Sequence, residues 1–358
     1  MALPSSGPLS INDIRNALGS TSGSLRTLSA LAGFTSPDSI SEFYGYSSAV
    51  IFLASGDYRS FPSPQSIVKS TNIGTSWSTL SGSPGIAIWY DIAVSNNALN
   101  IIGVSPNGSA YYSTNGGTSF GEQFLSPDIS SCFLSDSGTY MYALEILTGS
   151  EKLYMSSNSG TTFTVVLTNS TASSYYTAGG CAGNGEIVLV YKYFSSGGTQ
   201  QFYNGSHGTG TWEASNPSVM SDKQIVATAL SSTGQYILCA TTSGHLLVNN
   251  NGAAYNAWTS IAKTHYMFSC DVSYSGQYMI AGSDNGYVFT SVDYGVTFTT
   301  TNIGGYNMKV GVSTSGLFAV IGGSGTNDVY TSTNGTSWTA QTNTPNLTNA
   351  QYTCLAVS

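Results

Sequence analysis

The feature that most constrains this chain is a nine-residue phrase that recurs along it. Ser70 and Ser113 begin equivalent parts of two copies and are 43 residues apart, and Ser156 follows Ser113 by 43 again. A fixed period of this length is typical of repeat architectures, in which each unit buries its faces against its neighbours. Four full copies and one shortened copy are clear: KSTNIGTSW (69–77), YSTNGGTSF (112–120), MSSNSGTTF (155–163), TSVDYGVTF (290–298) and TSTNGTSW (331–338).

The phrase has the general form S-x-N/D-x-G-x-T/S-W/F and predicts a strand, a turn and a second strand. An Asn or Asp in third place can accept a hydrogen bond from the backbone two residues on. The Gly supplies a positive φ, and the final aromatic residue begins the next strand where its ring can bury between units. The residues in these positions are Ser70, Asn72, Gly74, Trp77, Ser113, Asn115, Gly117, Phe120, Ser156, Asn158, Gly160, Phe163, Ser291, Asp293, Gly295, Phe298, Ser332, Asn334 and Trp338.

The stretch before each copy also repeats, as in YDIAVSNNALNIIGVS (90–105) and CDVSYSGQYMIAGSDNG (270–286). Both read as a short strand, a polar turn and an apolar strand, so each unit is predicted to contain four strands. Degenerate copies of the phrase occupy 204–212 and 248–258. Residues 47–358 allow about seven units at this period, and six and eight are the neighbouring counts that the spacing allows.

The first unit lacks a first strand, because SSAVIFLASGD (47–57) already reads as the second. At the other end of the chain, TCLAVS (353–358) aligns with DIAVS (91–95). We therefore expect the C-terminal segment to complete the first unit, which would close a ring and remove open sheet edges.

These repeats resemble the Asp-box (BNR) repeat of β-propellers, in which the motif lies on the hairpin between the third and fourth strands of a blade. The resemblance implies an all-β fold over 47–358, a seven-bladed Asp-box β-propeller closed by the C-terminal strand.

Composition limits the classes of partner. Only 9 of 358 residues are Lys or Arg, and the net charge is −8, so nucleic acid and anionic membranes are poor partners. No apolar run approaches the ~20 residues of a membrane helix, and residues 1–30 show no secretory signal pattern. The profile instead predicts a neutral surface of hydroxyls, amides and aromatic rings.

The sequence predicts neither a metal nor a cofactor. The cysteines lack a CxxC pair, which favours buried free thiols formed in a reducing cytoplasm over zinc ligands. The histidines lack ligand spacing as well. These residues are Cys132, Cys181, Cys239, Cys270, Cys354, His207, His245 and His265.

Residues 1–46 depart from the repeat. SINDIRNALG predicts a short helix with Ser10 as N-cap, Asp13 three residues later and Gly19 as its end. SGSLRTLSALAG predicts a second helix and SPDSISEFYGY a third short element. Because such pieces make only a small core, we expect this segment to dock onto something larger.

A start of the form LPSSGPLS, followed by SLRTLSALAG and SISEFYG, is similar to an N-terminal module of structural proteins of tailed bacteriophages. That module is frequent on tail-fibre, tail-tip and other virion-surface proteins. The resemblance covers about an eighth of the chain and implies that 1–46 is a small helical virion-attachment module. It also implies a virion protein, assembled in the host cytoplasm, that binds other virion proteins and is multimeric in the particle. The alternative is a helical cap over one face of the propeller.

An enzymatic role is not expected. A sialidase needs three arginines around the substrate carboxylate, whereas this chain has Arg15, Arg26 and Arg59, two of them in the N-terminal module. A glycosidase needs two carboxylates flanking a bond, and no paired motif recurs, although separate loops could bring two together. The G-x-S-x-G pattern occurs at 117–121, inside the second copy of the repeated phrase, where the repeat accounts for it as a turn, so no nucleophile elbow is expected.

The least regular unit, about 170–215, is the candidate ligand site, because irregularity in a strict repeat often marks a functional loop. The alternative is that its aromatic residues fill the core. The tentative ligand-binding residues are Tyr175, Tyr176, Tyr191, Tyr193 and Trp212.

The sequence thus predicts a bacteriophage virion surface protein for host recognition, an adhesin of the tail fibre, tail tip or capsid surface that binds a host glycan or protein. One alternative is a purely structural decoration or assembly protein of the virion. The other is a surface-glycan depolymerase.

Overall fold

A computed structural model shows an all-β propeller with few helices, which confirms the all-β propeller part of the predicted fold class. Of residues 201–217 it describes only one side chain, that of Trp212. The residues that the structure describes are 8–17, 23–31, 39–40, 49–55, 66–85, 88–146, 151–170, 174–194, 201–206, 209–215, 218–220, 223–252, 257–306, 308–321, 329–341 and 352–358.

Two short helices, α1 (Ile11–Ala17) and α2 (Leu25–Leu31), lie where the sequence predicts them. The predicted capping box at Ser10 is confirmed, since the Asp13 N–H donates to Ser10 Oγ at 3.2 Å and the Ser10 N–H donates to Asp13 Oδ2 at 2.8 Å. The predicted end at Gly19 and most of the third element lie outside the described residues. Within the described ranges, no helix is long and apolar enough to cross a membrane.

After these helices the described residues form twenty-eight strands, and a short 3-10 helix (Ser218–Met220) lies between the fifteenth and sixteenth. The first fourteen are β1 (Ile51–Ser55), β2 (Val68–Ser70), β3 (Ser78–Thr79), β4 (Asp91–Val94), β5 (Ile101–Val104), β6 (Ser109–Ser113), β7 (Gly121–Phe124), β8 (Ile129–Leu134), β9 (Met141–Glu145), β10 (Lys152–Ser156), β11 (Thr164–Thr168), β12 (Ser174–Cys181), β13 (Val188–Phe194) and β14 (Gln201–Ser206). The others are β15 (Thr209–Ser215), β16 (Ile225–Leu230), β17 (Ile237–Thr241), β18 (His245–Asn249), β19 (Trp258–Ala262), β20 (Met267–Val272), β21 (Met279–Ser283), β22 (Tyr287–Ser291), β23 (Thr299–Asn302), β24 (Lys309–Val312), β25 (Phe318–Ile321), β26 (Val329–Ser332), β27 (Thr339–Gln341) and β28 (Tyr352–Val357).

The described strands form antiparallel sheets of four. Sheet one has the order β28-β1-β2-β3, and sheets two to seven take the remaining strands in consecutive fours from β4–β7 to β24–β27. We call the strand at the inner edge of each sheet its first strand; in sheet one this is β28. The first strands contact one another in the order β28, β4, β8, β12, β16, β20, β24, and β24 contacts β28. Among the described residues, a cluster of buried apolar side chains lies between each pair of successive sheets, so each sheet covers both faces with its neighbours.

Sheet one joins the two ends of the repeat region. Strand β28 pairs with β1 so that Val357 lies opposite Ile51, and the Ser358 N–H donates to the Val50 carbonyl at 3.1 Å. The Cys354 thiol is buried and donates to the Trp89 carbonyl of sheet two at 3.4 Å. Strand β28 therefore bonds to its own sheet and packs against the next.

The repeated phrase, which we call the box turn, forms the hairpin between the third and fourth strands. In the first copy the Ser70 Oγ accepts the Gly74 N–H at 2.8 Å, and the Asn72 Oδ1 accepts the Ser76 N–H at 2.9 Å. Gly74 has the expected positive φ of 83°, and the residue before it, Ile73, is also left-handed at 59°. The turn is therefore tighter than the sequence suggested, with two successive left-handed residues.

Box turns also lock neighbouring sheets together. A Cβ built on Gly117 would lie 2.4 Å from Leu80 Cδ1 of the preceding sheet, so the glycine is needed for close approach as well as for its φ. The box aromatic residues pack on the clusters between sheets, as predicted. They are Trp77, Phe120, Phe163, Phe298 and Trp338.

Asp293 is the one carboxylate among the five box turns quoted above, and we expect Asp293→Asn to preserve its turn. Asp293 accepts from the Thr297 N–H at 2.9 Å and from Thr297 Oγ1 at 2.6 Å. Burial acts to raise the pKa of the Asp293 carboxyl. Hydrogen bonds from Thr297 and Ser291 favour its charged form and outweigh burial, so the pKa is lowered. Its contribution to stability is therefore present above its ordinary pKa and lost as the pH falls through the lowered one.

The measurement is thermal unfolding of Asp293→Asn and Asp293→Ala between pH 3 and pH 7. At pH 7 the Asn variant should stay within about 0.5 kcal/mol of the parent, while the Ala variant loses about 1–2 kcal/mol. Equal losses in the two variants would contradict the role of the hydrogen bonds.

Deleting 352–358 should open the ring. The deletion exposes the edge of β1 and removes buried apolar side chains from two sheet interfaces, so we expect a loss of more than about 5 kcal/mol, or aggregation. Calorimetry of this variant should be compared with a deletion of equal length, 1–7, at the other terminus. An unchanged unfolding transition after deletion of 352–358 would contradict the pairing.

Candidate functional site

The seven first strands enclose a central channel with a volume of about 390 Å³. Each first strand pairs with its own sheet on one side only, so the backbone groups of its other edge face the channel or the next first strand. The N–H and C=O groups of these free edges need hydrogen-bond partners. The side chains that provide them determine the chemistry of the channel.

One backbone hydrogen bond recurs at the end of every first strand and gives an equivalent reference position in each sheet. In each sheet, the residue just after the first strand, which we call the turn residue, donates its N–H to the carbonyl of the residue just before the second strand. Examples are the bonds from Ser95 to the Asn100 carbonyl and from Ser273 to the Tyr278 carbonyl. The position five residues before each turn residue lies at the opposite end of the channel, and we call these positions the rim. The rim comprises Tyr90, Ser130, Thr177, Val226, Phe268, Met308 and Thr353.

A β-bulge recurs at the rim in five sheets. In sheet six, Met267 pairs with Ser283 and Ser269 with Gly282, which leaves Phe268 as the extra residue. The same one-residue shift occurs at the rim positions of sheets one, three, four and five. Bulges redirect side chains and are common at barrel rims and beside active sites. Here they mark one end of the channel, which we call the channel mouth.

Two large aromatic side chains of the rim are accessible. Tyr90 is 42% exposed and Phe268 is 40% exposed, and both line the channel. They lie across the channel from each other, because β4 and β20 are separated by two first strands on one side and three on the other. The Ser130 Oγ is buried and has no hydrogen-bond partner among the described residues. The mouth thus offers two ring faces and an unused hydroxyl.

The channel mouth carries one ammonium group among its described lining residues, that of Lys309. Lys309 Nζ lies 5.2 Å from the centroid of the Phe268 ring, a distance at which a cation is attracted to the ring face. Burial raises the pKa of the Asp91 carboxyl, and the nearby charge of Lys309 and hydrogen bonds oppose that rise.

Asp91 joins two first strands. Its Oδ2 accepts from the Cys132 N–H and from Ser131 Oγ of β8, each at 3.0 Å, and its Oδ1 accepts from the Ile92 N–H at 3.0 Å. Asp271, on β20, repeats the arrangement: its Oδ2 accepts the Val312 N–H of β24 at 2.9 Å, and its Oδ1 accepts its neighbour's N–H at 2.8 Å. Both carboxyls therefore satisfy backbone donors of the next first strand.

The carboxyls of Asp91 and Asp271 both line the channel, which the sequence did not indicate. Burial raises the pKa of Asp271 to about 6, so this group could exchange protons near neutral pH. However, both oxygens of each carboxyl already accept hydrogen bonds from N–H or hydroxyl donors. The arrangement supports a structural role for the pair more strongly than acid–base catalysis.

The predicted aromatic site in sheet four is brought together only in part. Tyr176 and Tyr191 are buried, and the Tyr191 Oη donates to the Lys223 carbonyl at 2.5 Å. Trp212 is half-buried against the interface of sheets three and four, and its Nε1 donates to the Val166 carbonyl at 2.9 Å. Tyr175 and Tyr193 are half-buried and contact each other with ring centroids 5.3 Å apart. Ligand binding by this last pair stays a prediction.

The cysteines are free thiols, four of them buried and Cys270 half-buried. His245 Nδ1 lies 3.0 Å from Ser260 Oγ, and His265 stacks on Tyr287, while His207 lies outside the described residues. Across the described ranges, no group of three or more His, Cys, Asp or Glu side chains could hold a metal ion.

Comparison with known proteins shows the fold alone. No protein-family model matches the chain, and no curated protein matches its sequence. A solved protein from Lactobacillus plantarum is similar over 86% of this chain and 99% of its own, with 10% identity and a TM-score of 0.63. YCF48 from Cyanidioschyzon merolae is similar over 70% of this chain and 84% of its own, with 12% identity and a TM-score of 0.50.

The chain also matches the GH74 enzyme of Niastella koreensis, with 16% identity and a TM-score of 0.49, over 81% of this chain. It spans 63% of the length of that enzyme. The propeller fold is compatible with a binding or an enzymatic role.

The rim was not predicted from the sequence. Tyr90 and Phe268 each stand five residues before a Ser of the aligned motifs DIAVS and CDVS, so two bulky aromatic residues at one repeat position were the available signal. What the repeat could not indicate is the bulge that makes Phe268 the extra residue of its strand.

Asp271 should titrate near pH 6, well above its ordinary value of 3.8. Because the folded state holds this proton more tightly than the unfolded state, the group's contribution to stability is full below about pH 4 and falls as the pH rises through 6. Carboxyl ¹³C NMR of the intact protein measures the midpoint, with Asp271→Asn to assign the signal. Asp293, whose pKa is lowered, is the internal control. A midpoint for Asp271 at or below that of Asp293 would contradict the burial.

Proposed function

We propose that this chain is a bacteriophage virion surface protein that recognises the host. In this proposal residues 1–46 attach it to other virion proteins, and the seven-bladed propeller, closed by its C-terminal strand, presents the channel mouth to a host surface glycan or protein. The virion assignment rests on the N-terminal resemblance, and the binding role rests on the mouth.

The observation that carries the binding role is the pair of exposed rings, Tyr90 and Phe268, on opposite sides of the mouth. Aromatic rings with one face accessible are the side chains that most often anchor a ligand. Lys309 and Ser130 add hydrogen-bond donors beside them. With few charged residues in the chain, this combination suits a neutral or weakly charged ligand such as a saccharide.

The test is adsorption of purified protein to a panel of bacteria and to an array of bacterial surface polysaccharides, followed by competition with particles that carry the protein. Tyr90→Ala and Phe268→Ala should each weaken binding about tenfold, or about 1.4 kcal/mol. Tyr175→Ala is the matched control, because it removes an aromatic ring from sheet four, and it should bind as the parent does.

If Tyr175→Ala lost binding while Tyr90→Ala and Phe268→Ala bound as the parent does, the binding site would lie in sheet four and not at the mouth. Absence of any adsorption or competition would favour the structural alternative, a decoration or assembly protein, and cryo-microscopy of the particle would then find the mouth covered by other subunits. Release of sugars from a bound polysaccharide would favour the depolymerase alternative, and Asp91→Asn would then be the first variant to assay.

A further inference from the structure

Three loops meet beside Phe268 on the mouth side of sheet six. They precede β20, join β21 to β22, and connect β23 to β24. The Asp284 N–H donates to the Tyr266 carbonyl at 3.0 Å, and the Ile303 N–H donates to the Gly286 carbonyl at 3.0 Å. These bonds tie the three loops into one continuous surface that adjoins the rim.

This surface is aromatic and highly exposed. Tyr266 is 63% exposed and Tyr306 is 60% exposed, more than either rim ring. Tyr266 lies two residues before Phe268, and Tyr306 lies three residues before Lys309. The exposed rings therefore continue outward from the channel mouth over sheet six. We call the set Tyr266, Asp284, Asn285 and Tyr306 the outer surface.

The outer surface also holds polar groups that suit a hydroxyl-rich ligand. The Asp284 Oδ1 is buried and has no hydrogen-bond partner among the described residues. A buried acceptor without a partner is costly, and a ligand hydroxyl could satisfy it. Asn285 Nδ2 lies 3.0 Å from His265 Nδ1, and His265 stacks on Tyr287 with centroids 4.0 Å apart, so the base of the surface is fixed.

We propose that the ligand is an oligosaccharide chain of several units that runs from the channel mouth across the outer surface. One unit packs on Phe268 beside Lys309, and further units pack on Tyr266 and Tyr306 while donating to Asp284. Sugars present an apolar C–H face and a polar edge, which matches ring faces alternating with acceptors. This inference rests on the proposed function and specifies its ligand.

A chain that contacts several subsites binds more tightly as it lengthens, because each added unit binds at high effective concentration. The experiment uses the full-length protein and size-fractionated fragments, of one to six units, of a polysaccharide that it retains on the array. Isothermal titration should show affinity rising at least tenfold between the shortest and longest fragments. Tyr266→Ala and Tyr306→Ala should abolish that rise, and Phe268→Ala should weaken binding at every length.

Tyr274→Ala is the matched control, because Tyr274 is 50% exposed but follows the turn residue Ser273 at the other end of the channel. It should keep the parent's length dependence. Affinity that does not change with length, or a normal length dependence in both outer-surface variants, would overturn this inference while leaving glycan binding at the mouth intact. Retention of a host surface protein and of no saccharide would overturn it while leaving host recognition intact. Failure to bind any host surface component would remove the proposed function itself.

Discussion

Pairing between β28 and β1 is the interaction on which the rest of the structure depends. A four-stranded sheet with two apolar faces is not stable alone, and a row of such sheets leaves one face bare at each end. Because β28 adds to the first sheet, the interface between sheets seven and one holds a cluster of buried apolar side chains, as the other interfaces do. Each of the other six sheets is made of four consecutive strands, so its strands are joined in chain order.

With β28 paired to β1, the unpaired inner edges of the described sheets face the channel. The free edges of the first strands are brought face to face, and Asp91 and Asp271 accept N–H groups from the next strand around the ring. Burial of these carboxyls raises their pKa, so the protein exchanges some electrostatic stability for satisfied backbone donors. At the mouth the regular ladder of five sheets ends in bulges, each of which leaves one extra residue in the first strand. The accessible Phe268 ring thus lies where the ladder of its sheet is interrupted.

Much of the fold could be predicted from local sequence. The box turn depends on contacts within five residues, such as Gly74 with Ser70, so a short phrase is sufficient to specify it. The helix start at Ser10 is local in the same way. The left-handed Ile73 was not predicted, because the requirement at that position comes from the backbone of the turn and leaves no mark on residue type.

The candidate site was harder to predict, because it depends on which way a strand faces. Tyr175 and Tyr176 are adjacent, and alternation places one toward the surface and the other in the core. The slip between Tyr176 and Ala178 then changes which later residues face the channel. Aromatic density alone could not separate the buried rings of sheet four from the exposed rings of the rim. The repeat position of Tyr90 and Phe268 carried that information.

A structure of the protein with the host surface component that it retains would show directly whether the channel mouth is the binding surface. We expect ligand contacts on the rings of Tyr90 and Phe268 and within reach of Lys309 Nζ. A ligand bound at Tyr175 and Tyr193, with the mouth unchanged and unoccupied, would contradict this expectation.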